Sequence, residues 1–338
     1  MSTTEARAMS GFSGLRHRLV GDQGRIVTAL LVAVVVVAAL AIPKFGSLGN
    51  LLNAARSSSV LGIVAIGMAI VVIGRGLDLS IVVILGTTSA FALLRMVEGS
   101  DEVPALVAAF VAALALGVIN GVLVAYVEIP ALFVTLATSL LYFGLFRLLL
   151  VKNDIVEVPQ KADIIRWLGS GDIVGIPNPV IIFAIVASAA AWLGSRNGGR
   201  YLFAIGDNPD AARLSGLPVR PFTVASYAVS ALLGCLGGIT LIAIAGSYDL
   251  RAIASGTLLY DVVAVVVIGG VSLAGGRGSV LGVVSAALLL GVIGNVMTLL
   301  NFDTIEQSLA KAFIVLLAIV LDSILHPRDE ETARVGEL

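Results

Sequence analysis

Catalytic chemistry has few places to reside in this chain. Its 338 residues include two histidines, His17 and His326, and a single cysteine, Cys235. Both histidines fall in the polar terminal regions, so no apolar run carries the usual general base or commonest metal ligand. Cys235 sits alone in an apolar run, which leaves no disulfide and no cysteine metal site. The expectation is no catalytic residue, no metal and no cofactor held by the chain itself. Polar chemistry is concentrated instead in three short segments: "GRGLDLS" (74–80), "GRYLFAIGDNPDAARLSG" (199–216) and "GGVSLAGGRGS" (269–279).

The middle segment reads as a miniature helix. Asn208 is a good N-cap, Pro209 suits the first helical position, and Asp210 puts negative charge where the helix dipole favours it. Arg213 stands at the other end of the dipole, and Gly216 can supply the left-handed turn that stops the helix. About two turns are far fewer than the ~12–15 residues an isolated helix needs in water. This helix therefore has to be held by its own protein or by another.

In the first segment, Gly76, Asp78 and Ser80 read as a structured turn shaping a pathway or its inner gate. The bland alternative is a glycine-permitted loop with a local Arg75–Asp78 ion pair. In the third, Gly275, Gly276 and Arg277 lie among five glycines. The spacing is not that of a nucleotide-binding P-loop. Glycines there allow an unwound or re-entrant backbone, tolerated only where it is buried in protein or lines a cavity.

The elements that position these segments are apolar runs. The sequence is 58% hydrophobic and 13% charged, with a mean hydropathy of +1.05, where soluble chains carry about 25% charge. This composition indicates an all-α, polytopic transmembrane bundle, and the 37 glycines suit close helix approach. The expected spans number ten: 26–42, 58–74, 80–97, 104–126, 130–151, 178–195, 219–245, 258–275, 279–300 and 306–325. Residues 1–25 and 326–338 are read as tails, 26–325 as the transmembrane domain, and 196–218 as its cytoplasmic loop. The first run has the wrong length and flank for a cleaved signal peptide. A short surface helix or a solvated loop is expected within 152–177.

With the N-terminus inside, twelve Lys or Arg fall on inner segments and six on outer ones. Counting Arg95, Arg147 and Lys311 as outer, where their long side chains can snorkel, makes the outer total nine. Both termini and the miniature helix are therefore expected to face the cytoplasm. "AIVVIG" (69–74) and "GTTSAFALL" (86–94) echo "AVVVIG" (264–269) and "GVVSAALLL" (282–290), each pair flanking a polar turn. A duplicated helical unit is one reading and chance likeness of apolar sequence the other.

Acids are scarce within the spans: Asp261 and Asp322 lie near ends, and Glu128 in a turn. An ion-coupled secondary transporter needs acidic groups near the midplane, which disfavours that class, as the missing histidines disfavour an intramembrane enzyme. Candidate pathway residues are neutral: Asn120, Thr135, Thr138 and Asn295, with Ser139 and Thr298 beside them. For any one of them taken alone, interhelical hydrogen bonding is the favoured reading. The net charge of -1 gives no reason to expect nucleic acid; membrane lipid is the evident surrounding.

Together, "GRYLFAIGDNPDAARLSGLPV" (199–219), "GLDLS" (76–80) and "VVIGGVSLAGGRGSVLG" (266–282) resemble the ribose/xylose-type permease subunits of bacterial ABC importers, within the branched-chain amino acid/sugar permease superfamily. "FGSLGNLLNAARSSSVLGIVAIGMAIVVIG" (45–74) and "IPALFVTLATSLLYFGL" (129–145) also resemble that family, so the likeness covers roughly 45–325. The resemblance implies an inner-membrane permease for a monosaccharide or similar neutral polyol, without enzymatic activity of its own. It implies a cytoplasmic ABC ATPase that binds the ATP, an extracytoplasmic sugar-binding protein, and a second permease, identical or homologous. Carried onto this chain, Asn208, Pro209, Asp210, Ala211, Ala212, Arg213, Leu214 and Ser215 become the coupling helix. The family usually continues Val-Gly-Ser after "GLDLS", whereas Ile81, Val82 and Val83 follow here. An ABC permease for a non-sugar solute is the alternative within the same architecture.

Overall fold

A computed structural model describes residues 23–150, 154–251 and 256–325. The tails at 1–22 and 326–338, with His17 and His326, lie outside the described residues, as does the side chain of Asp322. Each of the ten apolar runs coincides with a helix: α1 Gln23–Ala41, α2 Leu48–Ile73, α3 Ile81–Val97, α4 Glu102–Ala125 and α5 Ala131–Leu150, then α7 Asn178–Ser195, α10 Val219–Ala245, α11 Thr257–Ile268, α12 Val280–Leu299 and α13 Thr304–Leu325. Between them lie α6 (Asp163–Ser170), α8 (Asn197–Asp207) and α9 (Pro209–Leu214). Seven of the described helices are long and apolar enough to cross a membrane, while α3 and α11 are shorter apolar helices.

Two boundaries differ from the sequence reading. Helix α2 begins at Leu48 rather than 58, because Ser47 caps it through the Asn50 amide and the polar stretch after it remains helical. Arg56 and Ser58 are thereby helix residues, Arg56 donating to the Gly169 carbonyl and Ser58 to that of Ala54. Helix α11 stops at Ile268 instead of 275, since Gly270 adopts a left-handed φ of 79° and the chain turns there. The fold is also not purely helical. Strands β1 (Ile155–Glu157) and β4 (Ser247–Asp249) pair antiparallel, and β2 (Asp172–Ile173) pairs with β3 (Ile176–Pro177).

Helix α2 is the centre of the bundle, buried from Ser58 to Ile73 except at Ile70. Its neighbours approach closely because the contact positions are small. Along α4 the buried face is Ala105, Ala109, Ala113, Gly117, Gly121 and Ala125, a repeat every four residues. A Cβ on Gly117 would lie 2.6 Å from the Tyr227 carbonyl oxygen of α10, and one on Gly121 would lie 2.7 Å from the Val224 Cα. This is small-residue packing of the kind that joins helices where lipid supplies no hydrophobic drive. At the far end of α10, Gly169 of α6 is equally tight, its added Cβ falling 1.8 Å from the Ala243 carbonyl oxygen. Helix α6 is thus docked on the protein through buried Ile165 and Gly169, leaving Ile164 and Trp167 outward.

One ion pair between helices has both side chains mostly buried. Lys311 of α13 does not snorkel but donates to Asp261 of α11 at 2.8 Å, with side chains 25% and 15% exposed. In an apolar surrounding the nearby carboxylate neutralises the ammonium more effectively than a reach toward distant water.

Candidate coupling site

The miniature helix forms as its residues dictate. Asn208 Oδ1 accepts from the amides of Asp210 (3.1 Å) and Ala211 (3.0 Å), Pro209 is the first helical residue, and Gly216 turns the chain with φ 80°. Arg213 reaches back to Asp210 at 3.4 Å. Only Ala212 of α9 is buried, against Ile205, Val219, Leu217 and Phe222. Asp210, Ala211, Arg213, Leu214 and Ser215 are exposed, Leu214 to 91%. A leucine presented that openly beside paired charges fits a surface that meets another protein.

Missing from the sequence reading was α8, the amphipathic helix that carries α9. Its last turn is pressed against both polar turns at once. A Cβ on Gly206 would lie 1.8 Å from the Ile73 carbonyl oxygen and 2.5 Å from the Gly276 amide nitrogen. Gly276 itself donates that amide to Ile73 at 2.9 Å. Gly275 and Gly276 have φ of 88° and 71°, and added Cβ atoms would meet Gly206 and Arg75, and Asp207, respectively. The three polar segments therefore converge on the end of α2. Glycine at 206, 275 and 276 is required by that contact and not merely permitted by a loop.

Arg75, with φ 66°, and Arg277 are exposed. The local Arg75–Asp78 pair is not formed. Asp78 is buried and accepts from Ser80 Oγ (2.6 Å), the Ser80 amide (3.1 Å) and Ser230 Oγ of α10 (2.7 Å). Ser230 lies eleven residues into α10, about 16 Å along its axis. The first turn is thus a backbone segment reaching into the bundle, and it carries a buried acid that the sequence reading placed in a turn between two spans.

Asn120 and Thr135 join this centre. Asn120 donates to Ser80 Oγ at 2.7 Å and accepts from Tyr142 of α5 at 2.9 Å. Thr135 donates to the Leu77 carbonyl at 3.2 Å, as does Tyr227 at 3.4 Å, and Ser139 to that of Leu79 at 3.4 Å. Thr138 is buried and bonds its own helix at the Val134 carbonyl. Asn295 lies elsewhere, in a reciprocal amide pair with Asn50 at 2.9 and 3.1 Å. Tyr142, Tyr227 and Ser230 were missed by the sequence reading; their signal was a lone polar group in an apolar helix, which reveals no partner by itself. Outside the bundle, Arg220 donates to Glu128 at 2.7 Å. That hydrogen bond and its charge hold the Glu128 carboxyl below the usual range.

A family model described as the permease component of a branched-chain amino acid transport system matches residues 50–321. The chain belongs to this permease family. It is a multi-pass transport component and not an enzyme. The chain is 36% identical to the ribose import permease protein of Escherichia coli K12 over 297 residues, 87% of this chain and 92% of that protein. It is 33% identical to the Bacillus subtilis ribose import permease over 92% of this chain and 94% of that protein. The xylose transport system permease protein of Haemophilus influenzae is 30% identical over 81% of this chain and 88% of its own length. No solved structure matches significantly. All three converging segments fall inside the matched range, so the permease family encompasses the whole candidate site.

Proposed function

We propose that this permease forms the inner-membrane translocation pathway of an ABC importer for a monosaccharide or similar neutral polyol. Asn208 to Ser215 are its coupling helix, seated in a groove of a separate cytoplasmic ATPase that binds the ATP. An extracytoplasmic binding protein delivers the sugar, and a second permease subunit completes the pore. The chain crosses the membrane ten times, with both termini and the 196–218 loop in the cytoplasm, as the arginine distribution favours. The turns at Gly76–Ser80 and Gly275–Arg277 form the inner gate region.

One observation carries this reading: an exposed, capped helix rides on α8, whose last turn touches both polar turns at the Ile73 carbonyl. A push at α9 has a direct mechanical route into the bundle. Sugar as the substrate class is supported by relatives named for ribose and xylose. The test is reconstitution with its ATPase and binding protein, the ATP being supplied on the ATPase side. ATP-dependent uptake of a pentose or hexose, unaffected by a protonophore, is expected. Uptake that persists without ATP, collapses with the protonophore, or selects an amino acid over every sugar tried refutes it.

A further inference from the structure

The bonds around Asp78 run in one direction. Tyr142 donates to Asn120, Asn120 to Ser80, Ser80 to Asp78, and Ser230 to Asp78 from the other side. Each donor is accounted for when the chain ends on an acceptor-only group, which a carboxylate is. Asp78 also accepts the Ser80 amide just ahead of α3. The segment it belongs to is held a second time at its Leu77 carbonyl by Tyr227. Thr135 at Leu77 and Ser139 at Leu79 add shared contacts, their hydroxyls bonding more closely to their own helix at Ala131 and Thr135. Gly76 leaves the room for this, since a Cβ there would stand 2.7 Å from the Tyr227 hydroxyl.

We infer that Asp78 is a positioning residue for transport: its carboxylate is the hub that clamps the 74–80 turn to α4, α5 and α10. Through it, displacement of α8 against Ile73 and Gly276 moves those three helices together. This rests on the coupling reading above, and it assigns Asn120, Ser80 and Thr135 to the joint instead of to sugar contacts. Their hydrogen-bonding groups are engaged with protein partners, and a clamp of several bonds across four elements transmits displacement where a single contact would yield.

The test uses the complete importer in proteoliposomes, with Ser230→Ala and Asn120→Ala as variants that remove one donor each from α10 and α4 without adding volume. Sugar imported per ATP hydrolysed should fall about fivefold or more in both, with the KM for the sugar-loaded binding protein unchanged. Asp78→Asn should behave alike, and the Asp78→Asn/Ser230→Ala double variant should be no worse than either single one. A changed KM at constant sugar per ATP would make these residues substrate contacts and overturn the inference, as would loss of uptake and hydrolysis in equal proportion. A wild-type importer without ATP-dependent uptake would instead refute the coupling reading. Hydrogen exchange on the permease chain then decides the clamp separately. Ser230→Ala should speed exchange both in 74–80 and in 199–207, and acceleration confined to 74–80 would overturn the inference.

Discussion

Substituting Gly206 by alanine perturbs the contact between α8 and the bundle at one point. The new Cβ would stand 1.8 Å from the Ile73 carbonyl oxygen, whereas real Cβ contacts essentially never fall under 3.0 Å. The difference, 3.0 minus 1.8, obliges α8 to retreat by at least 1.2 Å. Both opposing groups are backbone, so no side chain can rotate away. Overpacking of this kind costs about 1–3 kcal/mol, and straining the 2.9 Å Gly276–Ile73 bond threatens about 1 kcal/mol more. Gly169→Ala is the matched control, with an identical 1.8 Å approach to the Ala243 carbonyl oxygen at the far end of α10. Both variants should lower the midpoint of thermal unfolding in detergent by similar amounts. Only Gly206→Ala should reduce sugar imported per ATP in proteoliposomes, because only it separates the coupling segment from both turns. An unchanged ratio in Gly206→Ala, or an equal fall in Gly169→Ala, would refute the reasoning.

Cysteine placed at position 210 in a Cys235→Ala background should resist impermeant maleimide on intact spheroplasts and react once they are opened; labelling from outside would reverse the topology. The double variant Asp210→Lys/Arg213→Glu should insert normally yet lose ATPase-coupled uptake, and near-normal uptake would make α9 a solvated loop. Lys311→Met should cost about 1–3 kcal/mol, because it leaves a part-buried carboxylate without its partner, while Asp261→Asn/Lys311→Met should recover most of it; the measurement is thermal unfolding of the three proteins. Glu128 has a depressed pKa through its hydrogen bond from Arg220, so its contribution is present above the ordinary glutamate pKa of about 4.3 and is lost as pH falls through the folded value. The pair is exposed and screened, so Glu128→Gln should leave unfolding midpoints between pH 7 and 6 nearly unchanged; a large loss at pH 7 would contradict this.

The helical bundle was legible in the sequence because lipid imposes a length and polarity on each crossing element, and every apolar run from 26–42 to 306–325 contains a helix, the run at 258–275 only as far as Ile268. The capped helix at Asn208–Leu214 was legible for a local reason: capping and dipole effects act within one turn, and Asn208, Pro209, Asp210 and Gly216 stand within a few residues of one another. Resemblance of the three polar segments was enough to indicate the permease family. The sequence left open what those segments do to each other. Residues 73, 206 and 276 meet only because α8 folds back across the end of α2, and nothing local to Gly206 announces a carbonyl 1.8 Å from its absent side chain. The same holds for Asp78. Local reasoning could offer it only Arg75, three residues away, as one alternative partner, whereas burial selected hydroxyls from Ser80 and from Ser230, which lies 152 positions along the chain. A polar group excluded from water takes whatever partners the packed helices bring to it, and helix packing is a property of the whole bundle.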